Sequence, residues 1–60
     1  MDEYNYNKDY LDLRKTLKIL KLTESDKIVE IDAMSKLLDA NYESGFSFDI
    51  IKNFLEKVKD

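Results

Sequence analysis

The sequence contains no cysteine and no histidine, and it has only one glycine. Without cysteine the chain forms no disulfide and no thiolate metal site, and its composition fits a reducing compartment such as the cytoplasm. Without histidine it lacks the commonest general base and the commonest metal ligand. Nucleophile–base pairs and glycine-rich phosphate loops are also missing. We therefore expect a protein that is not an enzyme and that holds no metal and no cofactor.

The pattern of charge and hydropathy excludes further classes. The apolar runs are too short to span a membrane, and the start of the chain, MDEYNYNKDY, lacks the basic and apolar regions of a signal peptide. A net charge of −3 disfavours nucleic acid as a partner, because phosphate contacts need concentrated positive charge. With 43% hydrophobic and 38% charged residues, the 60-residue chain is typical of one soluble domain. We expect it to reside in the cytoplasm and to bind another protein.

Apolar spacing predicts a first helix over residues 9–21, after a frayed segment of residues 1–8. Apolar residues at positions 10, 13, 17 and 20 follow the three-and-four spacing of one helix face. Asp9 is a candidate N-cap. Three further apolar residues widen the face: Leu11, Ile19 and Leu22.

A second helix is predicted over residues 25–43. Its apolar stripe comprises Ile28, Ile31, Met34, Leu38 and Tyr42, with Val29 and Leu37 beside it. Thr23, followed three residues later by Asp26, resembles a capping box at the start of this helix. The segment KIVEID also contains strand-forming residues, but the helical spacing continues beyond it and no second strand is there to pair with it.

Gly45 separates the second helix from a third, which is predicted over residues 47–58. Glycine adopts the left-handed conformation of a helix C-terminus without strain. Ser47 is a good N-cap, and Asp49 suits the first turn of the third helix. The sequence thus predicts an all-α fold, a small three-helix domain. Its predicted core is Leu13, Leu17, Leu20, Ile28, Ile31, Met34, Leu38, Ile51, Phe54, Leu55 and Val58.

An apolar helix, a glycine-apolar-serine turn, an isoleucine and a Phe-Leu pair follow one another within residues 33–56. They are Leu37-Leu38, Gly45-Phe46-Ser47, Ile51 and Phe54-Leu55. This arrangement resembles the helical hook of the Sin-type antirepressors of bacilli, which also closes the matching repressor. The resemblance implies that apolar helix faces dimerise, and that the protein captures a transcription regulator by replacing its self-pairing.

The same turn also resembles the helix-turn-helix of DNA-binding proteins. Its turn and inward positions would be Gly45, Phe46, Ser47, Ile51 and Phe54. The recognition helix would then begin at Ser47 and present Asp49 to the phosphates. Direct readout of bases relies on Arg, Lys, Asn or Gln, and only Lys52 and Asn53 qualify. Charge therefore favours a protein surface over DNA as the partner of this turn.

A third motif lies within residues 10–42. Arg14 is followed at a distance by Ser35-Lys36-Leu37-Leu38-Asp39, which has the form S-x-x-L-D. This pattern resembles the short helical-hairpin phosphatases that act on phosphorylated response regulators. The resemblance implies that Ser35 and Asp39 are site residues, and that Asp39 helps to hydrolyse the aspartyl phosphate of the partner.

The favoured hypothesis is a small non-enzymatic regulator, antirepressor- or inhibitor-like, that binds a partner protein through apolar helix faces. The expected contact patch is Tyr42, Phe46, Phe48 and Ile50, which flank the core stripes. The same patch also suits a homodimer. A minimal helix-turn-helix DNA-binding protein and a response-regulator phosphatase are the two alternatives. The sequence leaves open whether the first helix covers the hook.

Overall fold

The chain folds into three helices joined by short connections. The computed structural model describes residues 5–59. The helices are α1, Tyr6–Thr23; α2, Ile28–Ser44; and α3, Asp49–Lys59, with a short 3-10 helix at Ser25–Lys27. No β-strand occurs within residues 5–59, and the segment KIVEID is helical. The predicted all-α class with three helices is confirmed.

The first helix begins three residues earlier than the sequence predicted. The side chain of Asn5 accepts a hydrogen bond from the backbone N–H of Lys8 at 2.9 Å, so Asn5 is the N-cap. Asparagine caps a helix as well as aspartate does, and Asp9 lies instead in the first turn. Of the segment expected to be frayed, residues 1–4 lie outside the described part of the chain, whereas residues 6–8 are helical.

The connection between α1 and α2 is closed by backbone groups rather than by a capping box. Thr23 is the last residue of α1, and neither Glu24 nor Lys27, at the starts of the next two elements, makes a side-chain cap. Instead the N–H of Glu24 donates to the carbonyl of Leu20 at 2.7 Å, and the N–H of Lys27 donates to that of Glu24 at 2.9 Å. The predicted capping box is therefore wrong.

Gly45 ends α2 as the sequence predicted. Its φ of 75° is the left-handed conformation, and the N–H of Phe46 donates to the carbonyl of Asn41 at 2.9 Å, which satisfies the end of the helix. The hydroxyl of Ser47 accepts a hydrogen bond from the N–H of Asp49 at 3.4 Å. Helix α3 itself begins at Asp49, two residues later than predicted.

The core lies where all three helices meet. Its buried apolar residues are Leu13, Leu17, Ile31, Leu38, Phe48, Ile51 and Leu55. All of these except Phe48 belong to the predicted core. Four other predicted core residues are only partly buried: Leu20, Met34, Phe54 and Val58.

Ile28 is a wrong core prediction, because the side chain is exposed. Tyr10 contacts Asp39 while Lys21, later in α1, pairs with Asp32, earlier in α2, so the two helices run antiparallel. Helix α3 is held at the N-terminal end of α1, where the Lys52 ammonium lies 2.9 Å from the Asp9 carboxylate. Ile28 begins α2 at the opposite end of this hairpin, beyond the contacts that hold α3.

Candidate functional site

The expected contact patch is split by the fold, because Phe48 is buried. Only 2% of its surface is exposed, so the prediction that it forms an exposed contact is wrong. The ring of Phe48 stacks on that of Tyr6, with centroids 4.7 Å apart and planes 15° apart. Phe46 and Ile50 are exposed, by 64% and 59% of their surface. Phe48 is thus buried, whereas Phe46 and Ile50, two residues before and after it, are exposed.

Tyr42 is half-buried in an aromatic stack that fastens α1 to α2. Its ring lies between those of Tyr10, at 4.0 Å, and Tyr6, at 5.6 Å, both nearly parallel to it. The Tyr42 hydroxyl donates to the side-chain oxygen of Asn7. Most of the Tyr42 ring is therefore engaged within the chain, and of the four expected contact residues only Phe46 and Ile50 are well exposed.

Tyr6 ties the start of α1 to the Gly45 turn. Its hydroxyl proton is shared between two carbonyl oxygens, that of Asn41 at 2.8 Å and that of Phe46 at 2.6 Å. Burial, and to a lesser extent the neighbouring Tyr42, raise the pKa of the Tyr6 phenol. The face of the hook that the Sin-type resemblance implies for dimerisation is therefore covered by α1.

Exposed apolar side chains concentrate at the end of the α1–α2 hairpin. The exposed large apolar residues are Leu11, Ile19, Leu22, Ile28, Val29, Phe46 and Ile50. We name the four within residues 19–29 the hairpin end: Ile19, Leu22, Ile28 and Val29. Leu22 and Val29 are the most exposed, at 83% and 76%. Exposed apolar side chains in such numbers are a common mark of a protein-binding site.

The expectation that Leu11, Ile19 and Leu22 widen the core face is wrong. Leu11 and Leu22 are eleven residues apart, which is close to three helical turns, so they share one side of α1. Leu13 and Leu17, which are buried, lie on the other side. This angular relationship was present in the sequence and was the signal that identifies them as surface residues.

A groove of about 490 Å³ lies between α1 and α2. Its lining residues are Arg14, Lys18, Lys21, Asp32, Ser35, Lys36, Leu38 and Asp39. The α1 residues recur at three-and-four spacing, as do those of α2, so one stripe of each helix faces the groove. The fold thus brings together Arg14, Ser35 and Asp39, which the S-x-x-L-D motif singled out.

Both carboxylates of this groove are engaged within the chain. Asp32 lies 3.4 Å from the ammonium of Lys21 and 3.4 Å from that of Lys36. Lys36 chiefly, and Lys21 after it, lower the pKa of the Asp32 carboxyl. Asp39 accepts a 2.7 Å hydrogen bond from the Tyr10 hydroxyl, a bond that is the main cause of the raised pKa of Tyr10.

The other polar side chains of the groove differ in whether they have a bonding partner within the chain. The Ser35 hydroxyl donates to the carbonyl of Ile31 at 3.0 Å, one turn back along α2. Arg14, in contrast, has no carboxylate within 4.0 Å among the residues that the structure describes, and neither has Lys18. The groove therefore presents two cationic side chains without an internal ion pair.

The surface of α3 is of mixed charge, which does not suit a DNA-recognition helix. Asp49 and Glu56 are exposed on it together with Asn53. Lys52, one of the two residues that qualified for base readout, forms an ion pair with Asp9. A recognition helix needs several unengaged donors and a positive field. In α3 the carboxylates of Asp49 and Glu56 weaken such a field, and of the two readout candidates only Asn53 is outside an ion pair.

Known proteins provide no further guidance on the site. Comparisons with protein-family models, with curated proteins and with solved structures found no match. Across residues 5–59 no group of three or more acidic residues is arranged to hold a metal ion. Nor is any helix in that range both long and apolar enough to cross a membrane.

Proposed function

We propose that this protein is a small non-enzymatic regulator that binds another protein through its exposed apolar side chains. One observation carries the proposal: among the described residues, as many large apolar side chains are exposed as are buried, seven of each. Isolated exposed leucines are ordinary on protein surfaces. Four exposed large apolar side chains within residues 19–29 are unusual on a chain this small, and none of the four is buried in the core.

The contact surface in this proposal differs from the one that the sequence favoured. The hook face, with Leu38, Ile51 and Leu55, is already packed inside the protein. A partner such as a transcription regulator would therefore be bound through the hairpin end and through Phe46 and Ile50, without opening the fold. An antirepressor- or inhibitor-like role in the cytoplasm fits this arrangement, and so does a homodimer formed by the same side chains.

The test is affinity capture from a lysate of the source organism, with quantitative mass spectrometry. Val29→Lys places a charge in the hairpin end. Ala40→Lys places the same charge at an exposed position elsewhere on α2 and is the matched control. We expect a protein that is enriched by the wild type and by Ala40→Lys but lost with Val29→Lys. Light scattering of the purified protein identifies a homodimer beforehand. Equal enrichment by all three proteins would contradict the proposal.

A second candidate function is the hydrolysis of an aspartyl phosphate on a response regulator. The observation in its favour is that Arg14, Ser35 and Asp39 line one groove of a helical hairpin. In this proposal Asp39 orients a water molecule that attacks the phosphorus atom. The P–O bond to the partner's aspartyl carboxyl breaks, and inorganic phosphate leaves. Arg14, a cation without an ion pair among the described residues, binds the phosphoryl oxygens. The hydrogen bond from Tyr10 must then open or be shared, because it occupies an oxygen of Asp39.

This candidate is tested with a phosphorylated response regulator of the same organism. Accelerated loss of the phosphate, abolished by Asp39→Ala and by Arg14→Ala, is the expected result. Asp49→Ala, which removes an exposed aspartate on α3, is the matched control and should retain full activity. Circular dichroism verifies that each variant keeps its helices. If Asp39→Ala releases phosphate as fast as the wild type does, the catalytic role of Asp39 is wrong.

A further inference from the structure

The outer side of α1 carries a stripe of exposed residues, one of which, Lys18, also lines the edge of the groove between α1 and α2. We name it the basic stripe: Lys8, Leu11, Lys15, Lys18 and Leu22. Its members recur at three-and-four spacing, so they form one continuous line along the helix. All five are exposed. The buried residues Leu13 and Leu17 lie on the opposite side of the helix, against α2 and α3.

The charge of the basic stripe is opposite to that of the protein. Helix α1 holds five basic and two acidic residues, a net charge of +3, in a chain whose net charge is −3. Asp12 lies at the edge of the stripe, and no acidic residue lies within it. In the described part of the chain, Lys8, Lys15 and Lys18 have no carboxylate within 4.0 Å. Three lysine side chains thus face solvent without an ion pair to a described carboxylate.

We infer that the basic stripe is the docking surface for an acidic amphipathic helix of a partner protein. Charge complementarity selects the partner, because carboxylates placed opposite the three lysines would steer and orient the complex. The two leucines define its apolar contacts. The inference deepens the proposed function and rests on it in one respect, that the protein acts by binding another protein.

The spacing of the stripe specifies the partner helix. Leu11 and Leu22 lie about 16 Å apart along α1, at a rise of about 1.5 Å per residue. A partner helix that packs along α1 meets both leucines with two apolar side chains separated by the same number of residues. Its acidic residues then lie between them, opposite Lys15 and Lys18. Three-and-four spacing is the pattern by which helices pack side by side.

A protein helix fits this surface better than nucleic acid or a lipid bilayer does. Leu11 and Leu22 have no favourable contact to make with a phosphate backbone, which is read by cationic and polar groups. Insertion of α1 into a bilayer needs an apolar face separate from the charged face. In the basic stripe the lysines and leucines are interspersed along one line, so the two kinds of side chain enter the same interface.

The experiment uses the full chain and a synthetic, end-capped helical peptide. The peptide has two leucines at the spacing of Leu11 and Leu22 and glutamates between them, and a control peptide has lysine in place of every glutamate. Binding is followed by nuclear magnetic resonance titration, which also locates the contact. A DNA duplex and vesicles containing an anionic phospholipid are titrated in parallel.

The expected result is saturable binding of the acidic peptide alone, with signal changes along α1 and an affinity that falls with added salt. Lys15→Glu with Lys18→Glu should weaken this binding by about tenfold or more, since both electrostatic contacts are reversed. Leu22→Ser should weaken it as well. Lys57→Glu, a charge reversal, and Asn53→Ser, a shortening of a side chain, both lie at exposed positions on α3 and should leave it unchanged.

Three results would overturn the inference: no saturable binding, equal binding by the stripe variants and the α3 controls, or tighter stripe-dependent binding of DNA or vesicles. The capture experiment separates these failures from failure of the proposed function. If the captured protein depends on Val29 but not on Lys15 and Lys18, the function stands and the docking surface is wrong. If no protein is captured and the peptide does not bind, both are wrong.

Discussion

The ring of Tyr6 stacks on the ring of Phe48 at a centroid distance of 4.7 Å, and this contact closes α1 over the turn between α2 and α3. Tyr6 begins α1, and Phe48 directly precedes α3. The hydroxyl of the same tyrosine reaches the carbonyls of Asn41 and Phe46 on either side of Gly45. The first helix therefore covers the hook, and under the proposed function a partner would contact the outer surfaces of the molecule instead.

Phe48 and Phe46 provide a matched pair of phenylalanines in one turn. Phe48→Ala should lower the free energy of unfolding by about 3 kcal/mol or more, because it removes a buried ring and leaves a cavity. Phe46→Ala should change it by less than about 0.5 kcal/mol, because the ring of Phe46 is mostly in solvent. Urea denaturation followed by circular dichroism measures the free energy of unfolding of each variant that remains folded.

A domain of this size has little stability to lose, so Phe48→Ala is expected to unfold at room temperature. Phe48→Leu is the milder variant, and it should remain folded with a reduced denaturation midpoint. Equal midpoints for Phe48→Leu and Phe46→Leu would contradict the burial of Phe48 beneath Tyr6.

Asn41 is the one buried polar side chain among the described residues, and we predict that it stabilises the turn. Its amide nitrogen donates to the carbonyl of Ser47 at 3.2 Å. Asn41→Ala should cost about 0.5–1.5 kcal/mol, the net contribution of one hydrogen bond, because the carbonyl of Ser47 loses its partner within the chain. Asn41→Asp, which cannot donate, should be destabilising at neutral pH as well. Thermal denaturation of both variants is the measurement, and an unchanged midpoint for Asn41→Ala would show that the hydrogen bond contributes nothing.

Gly45 is required for its backbone conformation and not for space. A Cβ atom added to it would meet no atom within 4 Å, so the cost of Gly45→Ala comes from its φ of 75°. That cost should be about 1 kcal/mol, the penalty of an L-residue in the left-handed region. Gly45→Asn should cost less, since asparagine tolerates this region better. Ser44→Ala, one residue earlier in α2, is the control, and a loss for Gly45→Ala no larger than that of the control would contradict the prediction.

Asp32 should make folding stability depend on pH in the acid range. Lys36 and Lys21 lower its folded-state pKa below the ordinary value of 3.8, so the unfolded state binds the proton more readily. Its stabilising contribution is therefore fully present above the unfolded-state pKa and is lost as the pH falls through the folded-state pKa. Asp32→Asn should be less stable than the wild type at neutral pH.

The measurement is the urea midpoint at decreasing pH, for the wild type and for Asp32→Asn. The difference between the two should narrow as the pH falls below the ordinary pKa of 3.8. Lys36→Met should reduce this pH dependence more than Lys21→Met does, since Lys36 is the larger cause of the lowered pKa. Parallel pH curves for wild type and Asp32→Asn would show that the ion pairs with Asp32 are not formed in solution.

Helix spacing was sufficient to predict the three helices and most of the core, and it failed at particular residues. Leu13, Leu17, Ile31 and Leu38 lie on helix faces that one period identifies, so their burial could be predicted. Phe48 lies just before α3, outside any helix, so helical spacing could not predict whether its side chain is buried. Its burial depends on Tyr6, which lies forty-two residues earlier in the chain.

In the candidate sites, too, the sequence predicted what lies within one helix but not the contacts between helices. The S-x-x-L-D motif named Ser35 and Asp39, and helix geometry was enough to place both on one side of α2. Sequence reasoning did not identify the hydrogen bond from Tyr10 to Asp39 or the ion pair of Lys21 with Asp32, because each joins α1 to α2. The exposed leucines of the basic stripe were recognisable from their spacing, but they were assigned to the core face.

By itself the sequence determined the all-α class, the helix-ending role of Gly45 and the apolar face of each helix. These properties depend on local backbone preferences and on a period of about 3.6 residues, which are present in any short segment. Only the tertiary structure decided which apolar side chains are covered. Burial requires a partner surface, and the N-terminal end of α1 supplies one for Phe48 while nothing in the described chain supplies one for Leu22 and Val29.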